Sequence, residues 1–166
     1  MRRYVVRPLV VIVGLIMSNS YAQAWDDGDE IECLARNIYF EARGDNLAGQ
    51  FAIADVTLNR VYSVKYPKTI CAVVHQGVKD SKGKVIRYQC QFNWYCSGRS
   101  NYISDEHTNE AWLKARKIAV DIYFNNTYRG ITEGATHYHS SSVNPPWVRS
   151  MRPVGRIGSH LFYSPK

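Results

Sequence analysis

The 166-residue chain contains no C-x-x-C pair, no H-E-x-x-H, no G-x-S-x-G and no run of five Lys or Arg. Without C-x-x-C the usual zinc-knuckle spacing is missing. Without H-E-x-x-H the commonest zinc-peptidase helix is missing, and without G-x-S-x-G so is the nucleophile elbow of serine hydrolases. The lack of a basic run argues against a nucleic-acid-binding tail. No internal repeat occurs, which excludes a solenoid and favours one domain at this length.

Only one long apolar run is present, and it falls near the start. Arg2, Arg3 and Arg7 precede and flank Leu9 to Met17, and Ala22-Gln23-Ala24 follows. That order reads as a secretory leader over residues 1–24, with an A-x-A cleavage site and a mature chain from Trp25. An uncleaved N-terminal anchor is the other reading, although the run is short for a span. After cleavage no stable membrane span is expected. The leader holds three of the 21 basic residues and none of the 14 acidic ones, leaving the remainder at +4, three below the whole chain's +7. Modest positive charge outside the cytoplasm suits an acidic polymer such as cell wall.

The four cysteines, Cys33, Cys71, Cys90 and Cys96, all follow the leader. An even count in an exported chain favours two disulfides, with three connectivities open. Cys90 and Cys96 are close enough in sequence to close a small loop.

Hydrophobic periodicity organises the rest. Ile31, Leu34, Ala35, Ile38, Tyr39 and Ala42 recur at spacings of three and four, predicting a first helix that Gly44 stops. Leu47, Phe51, Ala54, Leu58 and Val61 predict a second helix, broadened by Ala52 and Val56 and therefore central. A short third helix is expected over 69–75, a loop over 76–84 and a hairpin within 85–95. The longest helix is expected over 105–125, on Ala111, Trp112, Ala115, Ile118, Ala119, Ile122 and Tyr123. The segment 135–163 reads as strands and ordered loops. The class is α+β, mostly helical with a minor β portion.

Glu41 lies on or beside the first apolar stripe, after Tyr39 and Phe40. Burial there disfavours the charged carboxylate and raises its pKa, which suits a proton donor to a glycosidic oxygen. An ion pair with Arg43, or with a nearby surface cation at the helix end, is the plainer alternative. A sugar hydrolase usually needs a second carboxylate, and Asp45, Asp55 and Glu133 are the candidates. His137 and His139 would share a face if T-H-Y-H is a strand, and with His160 could ligate zinc. They could equally bind sugar or stand at the surface. Trp94 and Trp147 sit among polar residues, as sugar-stacking side chains do. For Trp112 and Phe162 a core position is favoured.

The run A-R-N-I-Y-F-E-A-R-G-D-N-L-A-G-Q-F-A-I-A-D-V-T-L-N-R-V, with T-I-C-A-V-V-H-Q, C-Q-F-N-W-Y-C-S-G, G-A-T-H-Y-H and P-P-W-V-R-S-M-R-P-V-G-R-I-G-S-H-L-F-Y, resembles the SleB-type cell wall hydrolases, which include spore cortex-lytic enzymes. These blocks run in order from about Cys33 to Tyr163. The resemblance implies a small lysozyme-like catalytic domain over 25–166 that cleaves peptidoglycan between N-acetylmuramic acid and N-acetylglucosamine. It implies a lytic transglycosylase or muramidase with one essential Glu, here Glu41, and no cofactor. It makes Gln50, Gln91, Phe92, Trp94, Tyr138, Trp147 and His160 substrate contacts. A non-catalytic wall-binding module and a zinc amidase or peptidase are the alternatives. Peptidoglycan strands are the expected partner, with nucleic acid not expected and a regulatory partner left open.

Overall fold

The computed structural model describes residues 27–166. The leader expected over 1–24 and the mature start at Trp25 lie outside the described residues. Along the chain run α1 (Asp27–Ala42), α2 (Leu47–Tyr62), α3 (Ile70–Val74), β1 (Gly77–Lys79), β2 (Val85–Cys90), α4 (Asn93–Cys96), α5 (Glu110–Asn125), β3 (His137–Ser140), a 3-10 turn (Pro146–Ser150), β4 (Met151–Ile157) and β5 (His160–Pro165). Strands β1 and β2 form an antiparallel hairpin, and β3-β5-β4 form a three-stranded antiparallel sheet. The expected α+β class is the one observed.

The first stripe behaves as its spacing dictates. Ile31, Leu34, Ala35, Ile38, Tyr39 and Ala42 are all buried, and α1 packs between α2 and α5. Helix α2 is buried without a break from Gly49 to Leu58, which makes it central, as its broad apolar surface requires. Leu47, expected on that stripe, is 47% exposed because it stands in the first turn, ahead of the core.

Gly44 does not end α1 through a left-handed cap; its φ is not positive. Asp45 makes the turn. Its N–H donates to the Ala42 carbonyl (2.9 Å), and its carboxylate accepts from the Asn46 N–H (2.8 Å) and from Ser159 N–H and O–H (3.0 and 2.8 Å). The glycines that matter are Gly49 and Gly158, where an added Cβ would collide with the Asp45 carboxylate. Asn46 then caps α2 by accepting the Gly49 N–H (2.8 Å).

Three expectations fail in the middle of the chain. The hairpin forms between β1 and β2, so 76–84 is not all loop. Asp80 Oδ1 accepts from the Lys82 and Lys84 N–H groups (2.9 Å each), and Gly83 supplies φ +78°. Beyond Cys90 the chain turns helical instead of continuing as strand. Cys90 and Cys96 are bridged with their Cα atoms 6.2 Å apart, whereas six extended residues would span about 20 Å. Helix α5 also begins five residues late and, at 16 residues, only equals α1 and α2 in length. Asn109 sets its start by accepting the Trp112 N–H (3.1 Å), after Asp105 at φ +48°. Trp112, Ala115, Ile118, Ala119 and Ile122 are buried, while Ala111 and Tyr123 are half-buried.

The second disulfide joins Cys33 of α1 to Cys71 of α3 across 38 residues. Closing that loop in the unfolded chain is worth about 4 kcal/mol. The double replacement Cys33→Ala/Cys71→Ala therefore lowers Tm by at least about 8 °C in non-reducing thermal melts. A shift under about 2 °C would mean the bridge does little for stability.

The sheet packs on α2 through Ala52, Ile53, Val56, Ala135 and Phe162, with Tyr138, Val154 and Ile157 at the margin. The entry to β3 is tied down by polar groups of α2. Asn59 Nδ2 donates to Thr132 Oγ1 (3.0 Å) and Ala135 O (2.9 Å), and Arg60 Nε to Thr136 O (2.8 Å). Pro153 lies on β4, an edge strand, where its missing N–H is tolerated.

Candidate active site

An open cleft of about 530 Å³ runs past the end of α1, lined by Phe40, Glu41, Arg43, Tyr88, Asn93, Trp94, Ser97, Arg99, Ser100, Asn101 and Tyr102. Its aromatic wall is built by α1 and α4. Trp94 stacks on Phe40, centroids 4.7 Å apart and 19° between planes. The indole N–H donates to Asn37 Oδ1 (2.9 Å), and Asn37 Nδ2 donates to Thr57 Oγ1 (3.0 Å). Asn37 and Thr57 are fully buried. A polar chain through the two central helices thus holds the ring at the cleft wall.

Glu41 occupies the last turn of α1, at the negative end of the helix dipole, where a carboxylate is disfavoured. Burial pushes its pKa above the ordinary value. A hydrogen bond from Tyr138 and the charge of Arg60 pull it back without cancelling the rise. The Tyr138 hydroxyl donates to Glu41 Oε2 (2.9 Å). Burial foremost, then the Glu41 charge, push the Tyr138 phenol far up, so it remains a donor. Arg60 is buried beneath, its guanidinium over the rings of Phe92 (5.0 Å) and Tyr66 (5.4 Å). Arg43 does not pair with Glu41; its guanidinium lies over Tyr39 (4.8 Å). Among the described residues no other cation pairs with Glu41 either, so the ion-pair alternative is not observed.

The other sequence candidates scatter. Tyr138 and Trp94 come to Glu41's side of the molecule by the contacts above. Gln50 is buried and donates to the Asp45 carbonyl (2.8 Å). Gln91 is exposed, bonded through its N–H to Gln76 O (2.9 Å). Phe92 is 1% exposed, within the core. Trp147 packs over His137, His139 and Tyr163, at 5.4–5.6 Å between centroids. His160 is buried, with Nδ1 3.2 Å from Asp45 Oδ2 and its ring edge-on to Tyr138 (5.3 Å). Gln50, Gln91, Phe92, Trp147 and His160 are not among the cleft's lining residues.

The zinc alternative meets a geometric obstacle. His137 and His139 share one sheet face, but β5 pairs His160 with Ser140, putting His160 on the Tyr138 face. No group of three His, Cys, Asp or Glu among the described residues could hold a metal. The second-carboxylate candidates are also engaged elsewhere or exposed. Asp45 is held by Ser159, Asn46 and His160; burial raises its pKa, but these hydrogen bonds outweigh it and leave the carboxyl below its usual range. Asp55 is buried in bonds to Arg129, Gly130 and Thr132, and Glu133 is exposed in a turn.

Sequence reasoning missed Tyr88, Arg99 and Tyr102 as cleft residues, and the anchor Asn37. Tyr88 and Tyr102 are 63% and 79% exposed. Tyrosines in otherwise polar segments were the available signal. Tyr88 also sits at φ +63°, an uncommon conformation for an aromatic residue and one found at binding sites.

The chain is similar to known cell wall enzymes. A family model described as Cell Wall Hydrolase matches residues 44–163. The spore cortex-lytic enzyme of Oceanobacillus iheyensis is 40% identical over 138 residues, covering 81% of this chain and 41% of that protein. That of Bacillus subtilis is 27% identical over 134 residues, covering 81% and 37%. The chain thus spans about two fifths of the length of these relatives. Among solved structures, the catalytic domain of the germination-specific lytic transglycosylase SleB from Bacillus anthracis matches with TM-score 0.58 at 26% identity, covering 88% of this chain and 98% of that one. The catalytic domain of Bacillus cereus SleB gives 0.55 at 25%, covering 82% and 91%. This chain belongs to the cell wall hydrolase family.

Proposed function

We propose that the chain cleaves the glycan strand of peptidoglycan between N-acetylmuramic acid and N-acetylglucosamine, with Glu41 acting first as acid and then as base. One observation carries this reading: among the described residues Glu41 is the single carboxyl lining the cleft, and burial raises its pKa. The cleft's aromatic wall and its Asn and Ser groups suit a sugar chain, which stacks its C–H faces and bonds through its hydroxyls. The spore cortex-lytic relatives and the lytic transglycosylase match support the same substrate class.

Glu41 donates its proton to the glycosidic oxygen as the bond to the muramic acid C1 breaks, releasing the new 4-hydroxyl. The Glu41 carboxylate, hydrogen-bonded by Tyr138, then takes the proton of the muramic acid 6-hydroxyl as that oxygen bonds to C1. The result is a 1,6-anhydro end, with Glu41 protonated again. No second carboxylate is required, which accords with the occupied positions of Asp45 and Asp55. Tyr138 holds the carboxyl in place, and Trp94 offers a stacking surface.

The same reading has residues 1–24 as an export leader and 25–166 as one catalytic domain acting at the cell wall, in the periplasm or outside the cell. Two disulfides suit an oxidising compartment. Among the described residues no helix is long and apolar enough to cross a membrane. Mass spectrometry of fragments released from purified sacculi tests the proposal. Anhydromuramic ends are the expected product. Reducing ends would replace the 6-hydroxyl by water as the attacking group, and binding without release would overturn the catalytic reading.

A further inference from the structure

Arg43 and Arg99 both line the cleft, and both are exposed. Among the described residues neither forms an ion pair; the four pairs are Arg36–Glu32, Lys117–Asp121, Arg129–Asp55 and His160–Asp45. Glu41 is the one carboxyl among the described residues that line the cleft with them, and burial disfavours its charged form. The cleft therefore presents two guanidiniums against a single, largely buried carboxyl. Both are anchored. Arg43 lies over the Tyr39 ring, and Arg99 follows the buried Ser97, whose carbonyl accepts from Arg87 Nε (3.0 Å) and whose hydroxyl accepts the Arg99 N–H (3.3 Å). A neutral sugar chain offers these groups hydroxyl and acetamide oxygens but no counter-charge. A carboxylate matches their planar fork of donors.

We propose that Arg43 and Arg99 read a carboxylate carried by the glycan strand, so that the cleft selects acid-bearing aminosugar polymers over neutral ones. This deepens the glycan-cleaving reading and rests on it for the identity of the polymer. Two sources carry that chemistry. One is the lactyl acid of muramic acid, free where the peptide has been removed. The other is the stem peptide, with carboxylates of its own.

Binding to Glu41→Gln protein, which holds strands without cutting them, separates this proposal from the cleavage reading. Fluorescence polarisation is measured with labelled peptide-bearing strands, with strands stripped by an amidase, and with stripped strands whose acids have been converted to amides. The amidated strands bind about tenfold or more weaker than their acidic counterparts, as expected for lost charge-assisted hydrogen bonds. Adding Arg43→Gln and Arg99→Gln abolishes that difference, and Arg43→Lys with Arg99→Lys restores part of it. Tighter binding of peptide-bearing than of stripped strands assigns the recognised acid to the peptide; the reverse assigns it to the lactyl group. Equal binding of amidated and acidic strands overturns the proposal, as does discrimination that survives in the double Gln variant. Should that variant fail to fold, the comparison on the Glu41→Gln protein alone decides. A wild-type protein that released no fragments would sink the cleavage reading and leave this measurement standing.

Discussion

Glu41→Gln lowers the rate of fragment release from sacculi by about 10³-fold or more while making the protein more stable at neutral pH. Both effects have one cause. The amide cannot donate or retrieve the proton at the glycosidic oxygen, and general acid–base assistance is worth about 10²–10⁴ in rate. The lost group is also one the fold disfavours in its charged form, because burial raises its pKa. A carboxyl whose folded-state value exceeds its unfolded value makes the folded state hold the proton more tightly. Stability is thus unaffected where both states are protonated, below about pH 4. It falls as pH rises through the unfolded and then the folded value. Glutamine removes that cost. A Tm above that of the wild type at pH 7, the difference vanishing near pH 4, is the expected signature in scanning calorimetry. Activity runs the same way: with Glu41 as acid, the rate declines as pH rises through its elevated value. A variant that kept more than a tenth of wild-type release would remove Glu41 from the chemistry.

Asp55→Asn has the opposite character, with a large loss of stability and little direct effect on the chemical step. Asp55 is fully buried and accepts from Gly130 N–H (2.9 Å), Thr132 N–H (3.0 Å), the Thr132 hydroxyl and the Arg129 guanidinium. Arg129 also donates to Asn59 Oδ1 (2.9 Å). An amide keeps one acceptor oxygen but turns an NH₂ toward donors and leaves Arg129 without its counter-charge. Removing one partner of a buried pair costs about 3–5 kcal/mol, read as a lower midpoint in urea unfolding. Assayed well below its Tm, the folded variant keeps release within about tenfold of wild type, since the carboxylate does not face the cleft. Intact folding with abolished release would instead make Asp55 the second carboxylate.

The helices were legible because each buried stripe repeats at the helical period within about twelve residues, a local signal. The α1 stripe is buried residue for residue, and α2 spans Leu47–Tyr62 against an expected 47–61. Misplacements came where a side chain or a bridge sets the boundary. Asn109 starts α5 later than the apolar pattern suggests, and the Cys90–Cys96 bridge turns 93–96 into a helical turn. Gly44 looked like the stop of α1 because glycine commonly is one, yet the turn is set by Asp45 reaching Ser159 and His160, more than a hundred residues away.

Sequence alone determined the class of the fold, the position of Glu41 at the end of a buried helical face, and the resemblance that names its family. These follow from periodicity and from ordered motifs, neither of which needs a third dimension. Tertiary structure decided the rest. Which cysteines pair, and that His160 lies across the sheet from His137 and His139, depend on long-range closure and strand register. So does the company Glu41 keeps: Tyr138 arrives 97 residues downstream, because α2 fastens the entry to β3 through Asn59 and Arg60. A carboxyl's protonation depends on what surrounds it in space, and no spacing along the chain carries that information.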